Sequence, residues 1–455
     1  MYEAGPKGPA SSRRSLAAFA SADFASAVRA KAGTLFGAMT PRNERRSKGS
    51  RPPLPAGFMV LWTTVVIDMI GFGIAIPVLG PFARKEFGAS GFLVGATGAA
   101  FSLAQFVAAP ILGRISDRVG RKPVIVVSLV GTALASVATG LAGSIWVLLA
   151  ARAFDGASGG TLGVANAAVA DLAPKERRAP LLGMIGAAFG LGFTIGPAIG
   201  AIAAWLGDRR TPFYVAAALA AVNAVAALIR LPETRDLHRD EATQNTAPGD
   251  DPALARTWRD SGLPLLIAAS AIAVFAFSAF EQTFSIFGQD RIGFTESTSS
   301  IAFVIVGVVL SIVQGGLVGP AVRRVGELPL LRAGMVTTMV GLLVLAASRG
   351  WGVLIVALVL LSVGQGLASP TMTAAIAGRI DPDHRGEVLG IQQSWGSLGR
   401  VFGPLAGGLA FDNIGVSAPF IGGAVLFAVA VLLLRSAGRP MAAPTRDRNR
   451  AFARS

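Results

Sequence analysis

Twelve apolar runs, each close to the ~20 residues that carry a helix across ~30 Å of hydrocarbon, dominate this chain. They fall at about 57–80, 91–113, 123–142, 145–170, 181–206, 212–231, 263–287, 298–320, 329–348, 352–376, 387–410 and 417–436. Backbone groups in lipid must find partners within their own segment, so these runs are expected to be helices. Of the 455 residues, 52% are hydrophobic and only 15% charged, where a soluble chain carries about a quarter. The 56 glycines suit helices that approach closely without a hydrophobic drive between them. The expected fold is therefore an all-α membrane protein with twelve transmembrane helices.

Charge placement orients the spans. The stretch Gly113-Arg-Ile-Ser-Asp117-Arg118-Val-Gly120-Arg121-Lys122-Pro123-Val124 lies between the second and third runs, and four of its twelve residues are Arg or Lys. It must be a hairpin in water. Loops on its side of the membrane hold fifteen Lys plus Arg and the opposite loops six. That bias places both termini in the cytoplasm of a multi-pass protein of the cell (inner, cytoplasmic) membrane. The net charge of +15 follows the same logic, with ten Lys or Arg before residue 57 and five after residue 436. It marks topology, not a nucleic-acid groove.

The spans divide six and six around the polar segment 232–262. Residues 1–56 read as a basic cytoplasmic tail, expected to be disordered. Met39 is an alternative start, and a transit peptide shares the tail's composition. The units are then 57–231, a first six-helix bundle; 232–262, a cytoplasmic loop; 263–436, a second bundle; and 437–455, a basic tail. An internal repeat supports the division. Gly113-x3-Asp117-Arg118-x-Gly120 recurs 206 residues later as Gly319-x3-Arg323-Arg324-x-Gly326. Gly192-x3-Gly196-Pro197-x2-Gly200 recurs 207 later as Gly399-x3-Gly403-Pro404-x2-Gly407. Arg178-x4-Gly183 and Pro212-Phe213 recur at the same offset of 207.

At the 113–124 hairpin the chain resembles the major facilitator superfamily, whose loop between helices two and three carries a G-x-x-x-D-R-x-G-R-K-P pattern. The resemblance implies two pseudo-symmetric six-helix bundles that rock about a site near mid-membrane. It also implies that Asp117 docks on the positive N-terminus of a helix in the other bundle when the cytoplasmic side closes. Gly113, Asp117, Arg118, Gly120, Arg121 and Lys122 would form that gate motif. Arg323 stands where the repeat would need a second such acid, so the latch is not duplicated.

Ionisable side chains inside spans are costly, roughly 2.5–3.5 kcal/mol or more, and are functional candidates by default. Asp68 lies eleven residues into the first span, near mid-membrane. Its run, Asp68-Met-Ile-Gly71-Phe-Gly73-x3-Pro77, resembles the acid-bearing first helix of twelve-span drug:proton antiporters such as the tetracycline exporters. Arg152, Asp155, Gly156 and Gly159 share one face of the fourth span by their spacing. Arg152 and Gly156 match the family's R-x-x-x-G, where the arginine is associated with proton coupling; Asp155 departs from it. Either Asp155 neutralises Arg152 within its own helix and leaves Asp68 unpaired, or the three share one proton as a cluster. Glu281 and Arg400 are candidates to pair across the second bundle. Gly192, Gly196, Pro197 and Gly200 match the G-x-x-x-G-P-x-x-G of exporting members, with Gly403 and Pro404 in the copy. They also read as plain helix packing. Gln105, Asn166, Gln314, Gln365 and Gln393 could bind substrate or neighbouring helices.

No cysteine is present, and no metal-ligand cluster, nucleophile–base pair or nucleotide-binding loop emerges. Neither histidine, His238 nor His384, falls in a span. The expectation is a monomeric secondary transporter without cofactor, not an enzyme. It would exchange protons for small amphipathic, drug-like compounds in a lipid bilayer. Uptake of a small solute on the same scaffold, and a non-transporting receptor or scaffold, are the alternatives.

Overall fold

A computed structural model describes residues 54–173, 175–234, 262–380 and 385–436. The expectations for Met39, both histidines, the 437–455 tail and nearly all of the first tail and central loop lie outside these residues.

The secondary structure assigned to the described residues is helical. In the first half these helices are α1 (Phe58–Phe87), α2 (Gly91–Val119), α3 (Arg121–Leu141), α4 (Ile145–Ser158), α5 (Thr161–Leu172), α6 (Lys175–Leu206) and α7 (Thr211–Arg230). In the second they are α8 (Leu263–Ile292), α9 (Glu296–Ile312), α10 (Val318–Val325), α11 (Glu327–Ala347), α12 (Trp351–Ala377), α13 (Arg385–Asn413) and α14 (Ala418–Ser436). All twelve apolar runs lie on helix, and among the described residues ten stretches are long and apolar enough to cross a membrane.

Two runs are not single α-helices. The fourth breaks at Gly159–Gly160, between α4 and α5, and the eighth passes through a π turn at Val313–Leu317 between α9 and α10. Hydropathy continues across both, so the runs read as unbroken. Several helices also overshoot the apolar limits. α1 continues through Pro81 to Phe87 because its ladder is internal and its last turn carries Arg84 and Lys85, favourable at a helix C-terminus. Gly88, at φ 63°, then ends it with its N–H on the Arg84 carbonyl.

Packing repeats between the halves. α1 lies on α6 as α8 lies on α13; α3 lies on α7 as α11 lies on α14; α2 lies on α4 as α9 lies on α12. Across the seam, α2 meets α13 and α6 meets α9, the pair that an exchange of halves maps onto itself. Even the aromatic anchors correspond: Phe82 meets Phe213 edge-on at 5.1 Å, and Phe287 meets Phe420 edge-on at 4.8 Å.

The glycine pattern of the fifth span explains one of these contacts. A side chain on Gly73 of α1 would run into the backbone of Gly192 and Gly196, and one on Gly200 would meet Ile74. In the repeat, Gly399, Gly403 and Gly407 lie equally close to the α8 backbone from Ala271 to Ala279. Each glycine-faced helix thus presses on a helix that carries an acid within its apolar run, Asp68 on α1 or Glu281 on α8.

Candidate functional site: a charged cavity at the seam

A cavity of about 320 Å³ lies between the halves. Asp68, Arg152, Asp155, Glu281 and Arg400 all line it, together with Gln105, Gln282 and Gln393. Its apolar walls include Phe72, Leu79, Phe101 and Leu162. Charges scattered over 333 residues of sequence therefore meet in one space.

Arg152 is placed by three features. Its guanidinium bonds Asp155 at 2.7 Å, one helical turn on, and both residues are only 7% exposed. It also sits 4.8 Å from the centre of the Phe101 ring, within the range of a cation–π contact. Gly156 permits this, because any side chain there would strike the Phe101 backbone and push α4 away from α2. The Gly159–Gly160 break follows within two turns, and the Gln105 amide donates to the Gly159 carbonyl at 3.2 Å. A paired glycine was the sequence signal for this break; the helix is discontinuous beside its charged residues, as in other transporter sites.

The Arg152–Asp155 ion pair forms inside α4, and Asp68 lines the same cavity, a geometry compatible with both arrangements open from sequence. Asp68 shares the cavity, but among the described residues no cation lies within 4 Å of it. Glu281 and Arg400 also share it without an ion pair; the Arg400 contact is the Ser397 hydroxyl at 3.1 Å. Gln365 lines a neighbouring cavity, whereas Asn166 and Gln314 are exposed and line neither.

The seam has two ends, one at the 113–124 hairpin and a far end opposite. At the far end the halves are clasped. Asp412 of α13 accepts from the Gly91 and Phe92 N–H groups at 2.7 and 2.8 Å, capping α2 from across the seam. Arg84 bonds Asp290 at 2.8 Å and lies over Phe411. Deeper, Gln282 donates to the Val94 carbonyl at 3.0 Å and Ser299 to the Pro77 carbonyl at 3.1 Å.

At the hairpin end Arg121 ties its own half together. It bonds Asp117, Asp171 at the end of α5, and Ser116, while its N–H donates to Glu233 after α7. Burial alone would lower the Arg121 pKa, but the bonds to Asp171 and Asp117 outweigh it and raise it. Gly120 adopts φ 108°, a conformation that L side chains rarely adopt, and its missing Cβ leaves room for the Glu233 carboxylate. Asp117 is thus held by its own hairpin in this conformation.

The sequence profile of the Major Facilitator Superfamily matches residues 61–327 and 311–454. The chain belongs to this superfamily. Its similarity to the class C tetracycline resistance protein of Escherichia coli is 30% identity over 355 residues, 76% of this chain and 87% of that one. Multidrug resistance protein 1 of Bacillus subtilis is 31% identical over 378 residues, 82% of this chain and 94% of that one. Among solved structures, the human organic anion transporter MFSD10 aligns over 83% of this chain and 98% of its own, with TM-score 0.62 and 24% identity. The nucleoside transporter NupG aligns over 84% and 99%, with TM-score 0.67 and 14% identity. The fold is that of the superfamily, and the protein is a multi-pass membrane transporter.

Proposed function

We propose that this superfamily member exports small amphipathic compounds in exchange for protons, by alternating access at the seam cavity. The observation that carries the reading is the convergence of Asp68, Asp155 and Glu281, with Arg152 and Arg400, on one membrane-embedded space. Carboxylates there take up and release protons, and the two guanidiniums set the charge balance each time. Relatives named for tetracycline and multidrug resistance support drug-like compounds as cargo. The apolar walls around Phe72, Phe101 and Leu79 suit such compounds.

The positive-inside bias assigns the hairpin end to the cytoplasm of the cell membrane, with both termini there. The far-end clasp then closes the outer side, and Asp117, held here by Arg121, engages the other half when the cytoplasmic side closes. One proton moving through ~100 mV and one pH unit supplies roughly 3.7 kcal/mol, a ~500-fold gradient for a neutral compound. The test is quenching of a pH-sensitive dye in everted vesicles. Addition of transported compounds collapses an imposed proton gradient, and Asp68→Asn removes that response while the protein still reaches the membrane. Full gradient-dependent transport by Asp68→Asn would take Asp68 out of the mechanism, and proton-driven accumulation of the compound in intact cells, with none in the everted vesicles, would reverse the direction.

A further inference from the structure

A second cavity of about 300 Å³ opens inside the second half, between α8, α12 and α13. It meets the seam cavity at Gln393 and Arg400, which line both. Its chemistry is one-sided. Arg400 is the only charged residue in its lining, and the other polar groups are three amides, Gln365, Gln392 and Gln393, and the hydroxyls of Ser270, Ser369 and Thr373. No carboxylate lines it, whereas the seam cavity next door holds three. Apolar residues including Met335, Met372 and Leu389 form the rest of the wall, and the Gln392 amide already donates to the Ser270 hydroxyl at 3.0 Å, so Arg400 is the pocket's one charge among neutral groups that can donate or accept.

Arg400 is a cation on α13, where the two cavities meet. Among the described residues no carboxylate comes within 4 Å of it, and its bond to Ser397 leaves most of its five donors available. A planar guanidinium at the mouth of a pocket that holds no carboxylate matches a carboxylate or similar oxyanion. We propose that this side pocket is a subsite for the anionic group of the transported compound, with Arg400 as its counter-charge. The substrates then include small amphipathic organic acids, held with the acid in the side pocket and the apolar body against Phe72 and Phe101. The three carboxylates of the seam cavity enforce that orientation by repelling the acid from their side. This inference rests on the transporter reading and names the cargo of the same site.

The test is equilibrium binding to the purified full chain in nanodiscs of zwitterionic lipid, with empty nanodiscs subtracted. Three matched probes are used: 1-pyrenebutyric acid, its methyl ester and 1-pyrenebutylamine. A charge-assisted bond predicts at least about tenfold tighter binding of the acid than of the ester. Arg400→Gln brings that ratio to about one, and Arg400→Lys keeps part of it. Size-exclusion and thermal-melting profiles check that both variants are folded; should Arg400→Gln not fold, Arg400→Lys and Gln365→Leu carry the test by a reduced ratio. Equal or tighter binding of ester or amine overturns the proposal. So does an acid preference that survives in Arg400→Gln, or failure of all three probes to bind. Absence of an acid preference in the unsubstituted protein, together with intact Asp68-dependent proton exchange, refutes the subsite and leaves the exporter reading standing.

Discussion

Asp412→Asn tests the far-end clasp. The carboxylate accepts two N–H bonds from the first turn of α2, at 2.7 and 2.8 Å, and reaches them across the seam. Asn keeps one acceptor and removes the charge that complements the helix N-terminus. Charge–dipole contacts at exposed helix ends are worth ~0.3–1 kcal/mol and up to ~2 when partly buried. Asp412 is exposed while its Gly91 bond is partly buried, so a loss of about 1 kcal/mol is expected, a roughly fivefold shift toward the far-end-open population. The chain contains no cysteine, so spin labels can be attached at introduced sites without background. Gly143→Cys and Arg349→Cys mark exposed far-end turns of the two halves. Pulsed dipolar spectroscopy on Asp412→Asn should move weight from the short- to the long-distance peak. An unchanged distribution, at a sensitivity that resolves a twofold shift, would show that this cap does not hold the halves together.

Two further substitutions address the charges. Arg152→Leu leaves Asp155 buried without its partner and should lower stability by on the order of 3–5 kcal/mol, while Arg152→Leu/Asp155→Leu recovers most of it; thermal unfolding in detergent reads both, and equal losses would contradict a paired site. Asp117→Asn should slow transport while substrate binding persists, read by comparing flux with equilibrium binding, and lost binding would contradict a gating role.

Much of this architecture was legible because lipid enforces it. Apolar runs had to be helices, and repeated spacings such as Gly192/Gly399 disclosed the twofold relation of the halves. The acids of α1, α4 and α8, with Arg152 and Arg400, stood out because so few charged residues fall inside the apolar runs. Other features left little trace. The Asp412 cap pairs a side chain with backbone N–H groups more than 300 residues away, and backbone donors have no letter in a sequence. The breaks at Gly159–Gly160 and Val313–Leu317 were masked by continuous hydropathy, though a Gly-Gly pair marks each. Arg400 looked like the mate of Glu281 because both were stranded charges. In three dimensions they share a cavity without forming an ion pair.

The α2–α13 contact has a mechanical consequence. At Gly91 against Gly408, and at Gly95 against Pro404, main chain touches main chain with no side chain between. Interlocked side chains resist separation because rotamers must rearrange as ridges leave grooves. Bare peptide surfaces carry no such teeth. Under the proposed alternating access the two helices would act as the faces of a plain bearing, parting and reseating with little friction, while the few polar clasps at the rim decide how long they stay shut.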